Sequence, residues 1–232
     1  MSETKPPVAL RGHRPLRDIK ARLPDWKAEV IFDVGANIGQ SSASFLVEFP
    51  EATIHAFEPV PQAFEDLREA MRGHGSVHPH NVALGSRSGT VSMRARGKTT
   101  ENRIVNQDVS LLPGEKLITV AMETGDAMAQ RLGVERISYL KIDTEGHDHE
   151  VVQGFSSTLA RTDFVQVEAS MNPYNTTHAP FRLLEDLLRH HGFLLFHLYD
   201  QALEFKRGGR PVLRRCNPVF INGALVDLTG LS

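Results

Sequence analysis

The sequence predicts an α/β protein: a mostly parallel, doubly wound sheet with helices on both faces. Two observations carry this. Short apolar runs, beginning with Val30-Ile31-Phe32, alternate with amphipathic segments along most of the chain, which is the signature of βαβ units. Those runs also end on polar residues, as buried strands do where a loop begins. The chain has 232 residues, 41% of them hydrophobic and 23% charged. That is enough to bury a core without staples, at a composition typical of folded domains.

The elements follow in order. Residues 1–25 read as an N-terminal extension, punctuated by Pro6, Pro7, Pro15 and Pro24 and locally basic, with a short helix at Leu16–Leu23. Residues 26–232 read as one domain. Val30–Phe32 is the first strand, closed by Asp33-Val34-Gly35. Gly39–Phe49 is a helix stopped by Pro50, Thr53–Phe57 the second strand, and Pro61–Met71 a helix with Phe64, Leu67 and Met71 on one stripe. Val77–Leu84 holds the third strand. The rhythm then breaks: Thr90–Arg96 and Leu117–Met122 alternate apolar with polar, predicting an extra β insert around the loop Gly97–Gly114. Regularity returns with a helix at Gly125–Leu132, a strand at Ile137–Asp143 and a helix at His147–Leu159. A strand at Phe164–Glu168, a helix at Pro180–His191 and strands at Phe193–Leu198 and Val219–Asn222 complete it.

Composition excludes several classes. The formal net charge is −2, so nothing favours wrapping a polyanion, and no nucleic-acid partner is expected. The single cysteine, Cys216, excludes an intrachain disulfide framework. No apolar run reaches the ~18 residues of a membrane span, and Met1–Pro15 lacks an apolar signal core, so a cytoplasmic location is expected.

The informative pattern is positional. Asp33 and Glu58 end the first two strands, Asn81 lies near the end of the third, and Asp143 and Glu168 end the next two main ones. In open α/β sheets ligands bind outside these carboxyl ends, where the strand order reverses. Asp33-Val34-Gly35-Ala36-Asn37-Ile38-Gly39 places glycines where a ligand can approach the main chain and where a helix packs closely. It is not G-x-G-x-x-G, and the acid before the first glycine would repel a pyrophosphate. A zwitterionic amino acid carrying a sulfonium suits that acid. Glu58 is placed to accept hydrogen bonds from ribose hydroxyls, or to cap the helix after Pro59.

Four segments in this order, Val30–Gly39, Phe57-Glu58-Pro59, Asn81–Gly85 and Leu140-Lys141-Ile142-Asp143-Thr144-Glu145-Gly146, resemble the FkbM family of S-adenosylmethionine-dependent methyltransferases. The resemblance covers residues 29–170. It implies a Rossmann-like, seven-stranded methyltransferase sheet and O-methylation of a small molecule, sugar or natural product. It also implies that Asp33, Gly35, Ala36, Asn37 and Gly39 line the methionine part of the cofactor and that Glu58 holds the ribose. Asn81, Val82 and Ala83 would flank the adenine, and Asp143 would lie beneath the reacting methyl. After Gly146 the sequence departs from the family pattern with His147-Asp148-His149.

A hydroxyl acceptor is a weak nucleophile until deprotonated, and His147, just past Asp143, is the expected general base. The bland alternative puts His147 and Asp148 merely in the first turn of a helix. Asp143 and Glu168 could instead hold Mg²⁺ against the hydroxyl, although Asp143 could simply bind the cofactor amino group and Glu145 could cap the following helix or orient Lys141. Arg103 and Tyr174, in the insert and in the loop after Glu168, are the expected substrate contacts. Three other readings compete. A nicotinamide-dependent reductase lacks its G-x-G-x-x-G and Tyr-x-x-x-Lys signatures here. A nucleic-acid methyltransferase lacks an Asn/Asp-Pro-Pro-aromatic run. A catalytically degenerate methyltransferase-fold scaffold is the main alternative, and a homo-oligomer is open.

Overall fold

The computed structural model describes residues 14–95, 103–104, 111, 113–175, 177–204, 212–227 and 229. Its elements are α1 (Arg14–Arg22), β1 (Val30–Val34), α2 (Gln40–Glu48), β2 (Thr53–Phe57), α3 (Pro61–Ala70), β3 (Val77–His80), β4 (Ala83–Leu84), β5 (Gly89–Ala95), β6 (Arg103–Ile104) and β7 (Lys116–Glu123). They continue with α4 (Gly125–Leu132), β8 (Ile137–Ile142), α5 (Asp148–Gln153), β9 (Thr162–Gln166), β10 (Ala169–Ser170), α6 (Phe181–His190), β11 (Phe193–Leu203) and β12 (Leu213–Asn222).

The unbroken apolar runs become the central strands because both of their faces are covered. The main sheet runs β10-β12-β9-β8-β1-β2-β3, with β11 on the far side of β12. β3, β2, β1, β8 and β9 are parallel, while β12 is antiparallel to its neighbours β9, β10 and β11. Leaving aside the two-residue β10, this is a seven-stranded sheet. Strand order reverses between β1 and β8.

Alternating residues feed two cores. Phe32, Val34, Leu140, Ile142 and Val165 pack with α4, α5 and α6 through Met128, Val151, Val152, Leu184 and Leu188. Ile31, Ile54, Tyr139 and Phe164 pack on the other face with Phe45 of α2 and Leu67 of α3. The expected insert is a second sheet, β4-β7-β5-β6, over its own cluster of Val60, Ala63, Met93, Val120 and Met122.

Four segments differ from the sequence expectation. The third strand divides: β3 stays on the main sheet, while β4 turns away and pairs with β7. The Asn81 amide makes the break, donating to the carbonyls of Glu58 and Pro59. The helix after Gly146 ends at Gln153, because the Asp126 carboxylate draws the following residues into a turn by accepting from the N–H groups of Ser157 and Thr158 and the Thr158 hydroxyl. β11 and β12 run longer than their apolar cores, as one hairpin with register shifts. Finally, α1 packs into the domain and does not stand apart from it as an extension. Leu16 and Ile19 are fully buried in the second core, and Asp18 accepts from the Tyr199 hydroxyl at 3.0 Å. The expected division at residue 25 therefore runs through packed structure.

Candidate functional site

Register assembles the site. β1 lies between β2 and β8, and Asp33 sits opposite Lys141. Asp33 is fully buried and accepts from the Ser41 and Ser42 hydroxyls at 2.6 and 2.7 Å. The Lys141 ammonium lies 3.3 Å from Asp33 and 3.4 Å from Asp143. Burial works against that ammonium, but the two carboxylates outweigh it and hold Lys141 well above the usual lysine range. After β1 the chain turns through Gly35 at φ 76°. A Cβ there would stand 1.8 Å from the Asp143 carbonyl oxygen, so only glycine lets the β1 turn lie against the end of β8.

Above this junction is a cavity of about 280 Å³. Its wall is apolar where β2, the β4 segment and the insert supply Phe57, Val82, Ala83, Leu84, Met93 and Ile104, and polar where α2 and the carboxyl end of β8 supply Ser41, Lys141, Asp143, Thr144 and Glu145. The turn after β1 and the loop after β2 add Gly35, Ala36, Asn37, Glu58 and Pro59. Each Glu58 oxygen accepts one backbone N–H, from Val60 and from Asn37, both at 2.9 Å. Burial pushes the Glu58 carboxyl up to about 7, against those two hydrogen bonds. Asn37 adopts φ 49°, a backbone region rare for a side chain and common at ligand sites. Its side-chain oxygen is buried without a hydrogen-bond partner.

Of the expected cofactor residues, Gly35, Ala36, Asn37, Glu58, Val82, Ala83 and Asp143 line this cavity. Asp33, Gly39 and Asn81 do not. Asp33 lies beneath and orients Ser41 and Lys141. Gly39 seats α2 against Leu67 of α3 and Met71 just after it, and Asn81 staples the loop after β2. His147, the expected base, lines a different cavity of about 440 Å³ with Arg87, Ser92, Thr119, Met122 and Glu150. Among the described residues only Ile104 borders both. The His147 Nε2 is buried without a partner, and burial lowers the ring's pKa. Arg103 lies on β6 beside Ile104 but off the cavity wall, and residues 99–102 of that loop lie outside the described residues. Tyr174 is 90% exposed.

Asp143 and Glu168, the expected Mg²⁺ pair, are each already engaged: Asp143 by the Lys141 ammonium, Glu168 by the Arg215 guanidinium and by the His178 ring at 2.9 Å. Burial opposes the Glu168 charge, but His178 and Arg215 prevail and lower its pKa. The structure brings a further group to this side of the cavity that spacing did not reveal. Glu145, Glu168 and His178 place side-chain oxygens and a ring nitrogen within 4.8 Å of one another. Glu145 stands at φ 53° and Gly146 at φ 105°, where a Cβ would meet the Thr177 carbonyl oxygen at 2.0 Å. Asn175 holds the other His178 nitrogen at 3.0 Å. Burial, with Glu168 and Asp143 beside it, pushes Glu145 up to about 7. Asp148, fully buried under this loop, is likewise pushed to about 7, by burial and then by Asp143; it accepts from the N–H groups of Thr144 and Glu168.

A Rossmann-like sheet with a cavity at its order reversal, an acid after the second strand and a glycine turn after the first define the class of α/β proteins that bind an adenosine-containing cofactor. Solved structures agree at the level of fold. Fibrillarin of Methanococcus jannaschii superposes with a TM-score of 0.51 at 10% identity, over 95% of this chain and 70% of that one. Fibrillarin of Aeropyrum pernix, solved with natively bound S-adenosyl-L-methionine, gives 0.50 at 12% identity over 92% and 76%. The profile of the Methyltransferase FkbM domain matches residues 33–195, and the chain belongs to that family. Among its relatives is hexuronic acid methyltransferase AglP of Haloferax volcanii, 31% identical over 64% of this chain and 60% of its own length. The 2-O-methyltransferase NoeI of Sinorhizobium fredii is 26% identical over 79% of each chain. The 31-O-demethyl-FK506 methyltransferase FkbM of Streptomyces tacrolimicus is 28% identical over 71% of this chain and 72% of its own. This chain thus spans less than two thirds of the Haloferax relative. No helix among the described residues is long and apolar enough to cross a membrane.

Proposed function

We propose that the chain is an S-adenosylmethionine-dependent O-methyltransferase whose acceptor is a hydroxyl of a sugar or other small natural product. The observation that carries this is the division of the cavity between β1 and β8. An apolar wall suits adenine, a buried carboxylate suits a ribose diol, and a polar wall with a glycine-lined main chain suits an amino acid. The unpartnered Asn37 oxygen leaves an acceptor for a ligand donor. When bound, the cofactor supplies a methyl group already activated as a sulfonium.

The chain's own residues do the rest. Glu58, fixed by two N–H groups, accepts from the ribose hydroxyls. Phe57, Val82 and Leu84 exclude water from the base. Lys141, held between Asp33 and Asp143, ties the two carboxylates together beside the methionine end. Alignment of an activated donor with its acceptor supplies much of the rate. The names of the relatives, with hexuronic acid and 31-O-demethyl-FK506 among their acceptors, support a sugar or other natural-product acceptor.

The test is methyl transfer from radiolabelled donor to a panel of methyl glycosides, including methyl glucuronide. Label that appears on a glycoside and survives mild alkali is an ether and supports O-methylation of a hydroxyl. Label released by alkali is an ester and moves the site to the carboxylate. Cofactor binding with no transfer to any acceptor favours the scaffold reading.

A further inference from the structure

Resting on the cofactor reading above, we propose that Glu145, and not His147, is the general base that takes the acceptor's proton. In this assignment His178 and Glu168 are positioning residues behind it. Glu145 lies on the wall of the cofactor cavity with Asp143 and Thr144, on the polar side supplied by the carboxyl end of β8. The reacting methyl belongs on that polar side. His147 opens onto the other cavity. Only Gly146 separates them in sequence, but the positive φ angles of Glu145 and Gly146 turn the chain between them.

The placement of Glu145 is built, not incidental. Gly146 lies so close to the Thr177 carbonyl that no other residue fits, which locks the loop after β8 onto the loop before α6. That lock brings His178 to 3.8 Å from Glu145. His178 is in turn fixed by Glu168 and Asn175, and Glu168 by Arg215. The Glu145 side chain remains about a quarter exposed and lines the cavity, whereas those of Glu168 and His178 are nearly closed off. Glu145 is therefore the member of the group that an acceptor can reach.

In the step, the acceptor hydroxyl passes its proton to a Glu145 oxygen. Its oxygen forms the new bond to the methyl carbon, the carbon–sulfur bond breaks, and that electron pair stays on sulfur. The products are the methyl ether, S-adenosylhomocysteine and protonated Glu145, which returns its proton to solvent.

The test needs no known acceptor. Sinefungin carries an ammonium where the donor carries its methyl sulfonium, and S-adenosylhomocysteine carries no charge there. Titrating both calorimetrically into the full chain and into Glu145→Gln should show about tenfold or more loss of sinefungin affinity. S-adenosylhomocysteine should stay within about threefold. His178→Gln should shift the same ratio less. With methyl glucuronide or whichever probe glycoside accepts label, Glu145→Gln should lower kcat by about a hundredfold or more, the range general bases supply. Equal losses for both ligands would make Glu145 structural, and no loss for either would place it out of reach of the methyl; each overturns the proposal. So would activity abolished by a chelator and restored by Mg²⁺, since a metal would then activate the acceptor. Failure of the unsubstituted protein to bind either ligand would instead overturn the cofactor reading itself.

Discussion

Replacing Glu58 by glutamine tests the ribose assignment most sharply. The side chain is 6% exposed and each of its oxygens already holds a backbone N–H. Glutamine keeps the shape but removes the charge and turns one acceptor into a donor facing the N–H of Asn37 or Val60. A hydrogen bond to a charged group contributes about 1.5–3 kcal/mol. Losing that at the ribose should weaken S-adenosylhomocysteine binding roughly 10- to 150-fold. The pH dependence adds a second signature. Burial raises the Glu58 carboxyl to about 7, so the free protein is mostly protonated there below pH 7. If the ligand prefers the carboxylate, affinity is flat above about pH 8 and falls by up to about tenfold per unit below 7. Calorimetric titrations from pH 6 to 8.5 measure both. Equal affinity for the two proteins, or the same pH profile in Glu58→Gln, would refute the reasoning.

Three further outcomes are expected. Gly35→Ala should cost about 2–4 kcal/mol of stability and abolish cofactor binding, because the new Cβ meets the Asp143 carbonyl at 1.8 Å in a left-handed backbone; thermal melts with and without ligand check this. Leu16→Ala should destabilise by about 2–5 kcal/mol, as for other fully buried leucines, and an unchanged melting temperature would make α1 an extension that the core does not need. On the β2–β3 edge, burial and then neighbouring histidines lower His55 to about 4. Burial and then His78 and Arg131 lower His80 to about 4. Both rings stay neutral in the fold but charge in the unfolded chain below pH 6.5. Their contribution is therefore intact above 6.5 and lost as pH falls toward 4. Discounted for partial exposure, the loss is on the order of 1–2 kcal/mol each. The acid sensitivity of the melting temperature should shrink in a His55→Gln/His80→Gln double variant.

Much of this protein can be read from its sequence because parallel central strands bury both faces and so show as continuous apolar runs. β1, β2 and α4 fall where the pattern put them. β4 did not, because its departure is decided by the Asn81 amide bonding carbonyls more than twenty residues away. The cavity's glycine turn and its Glu58 were legible because the turn is local and an acid closing a strand stands out. The acid–histidine group was not. Glu145, Glu168 and His178 meet only through the packing of two loops, and adjacency to Asp143 in sequence favoured His147, which the Glu145-Gly146 turn carries to the other cavity. The one available signal was Glu145-Gly146 itself, an acid fixed before a glycine at a strand end.

Binding of S-adenosylhomocysteine to the purified full chain tests the central claim most directly. The cavity between β1 and β8 predicts saturable one-to-one binding in the micromolar range, lost in Gly35→Ala. A folded protein that takes up no heat from the ligand across pH 6 to 8.5 would contradict the account.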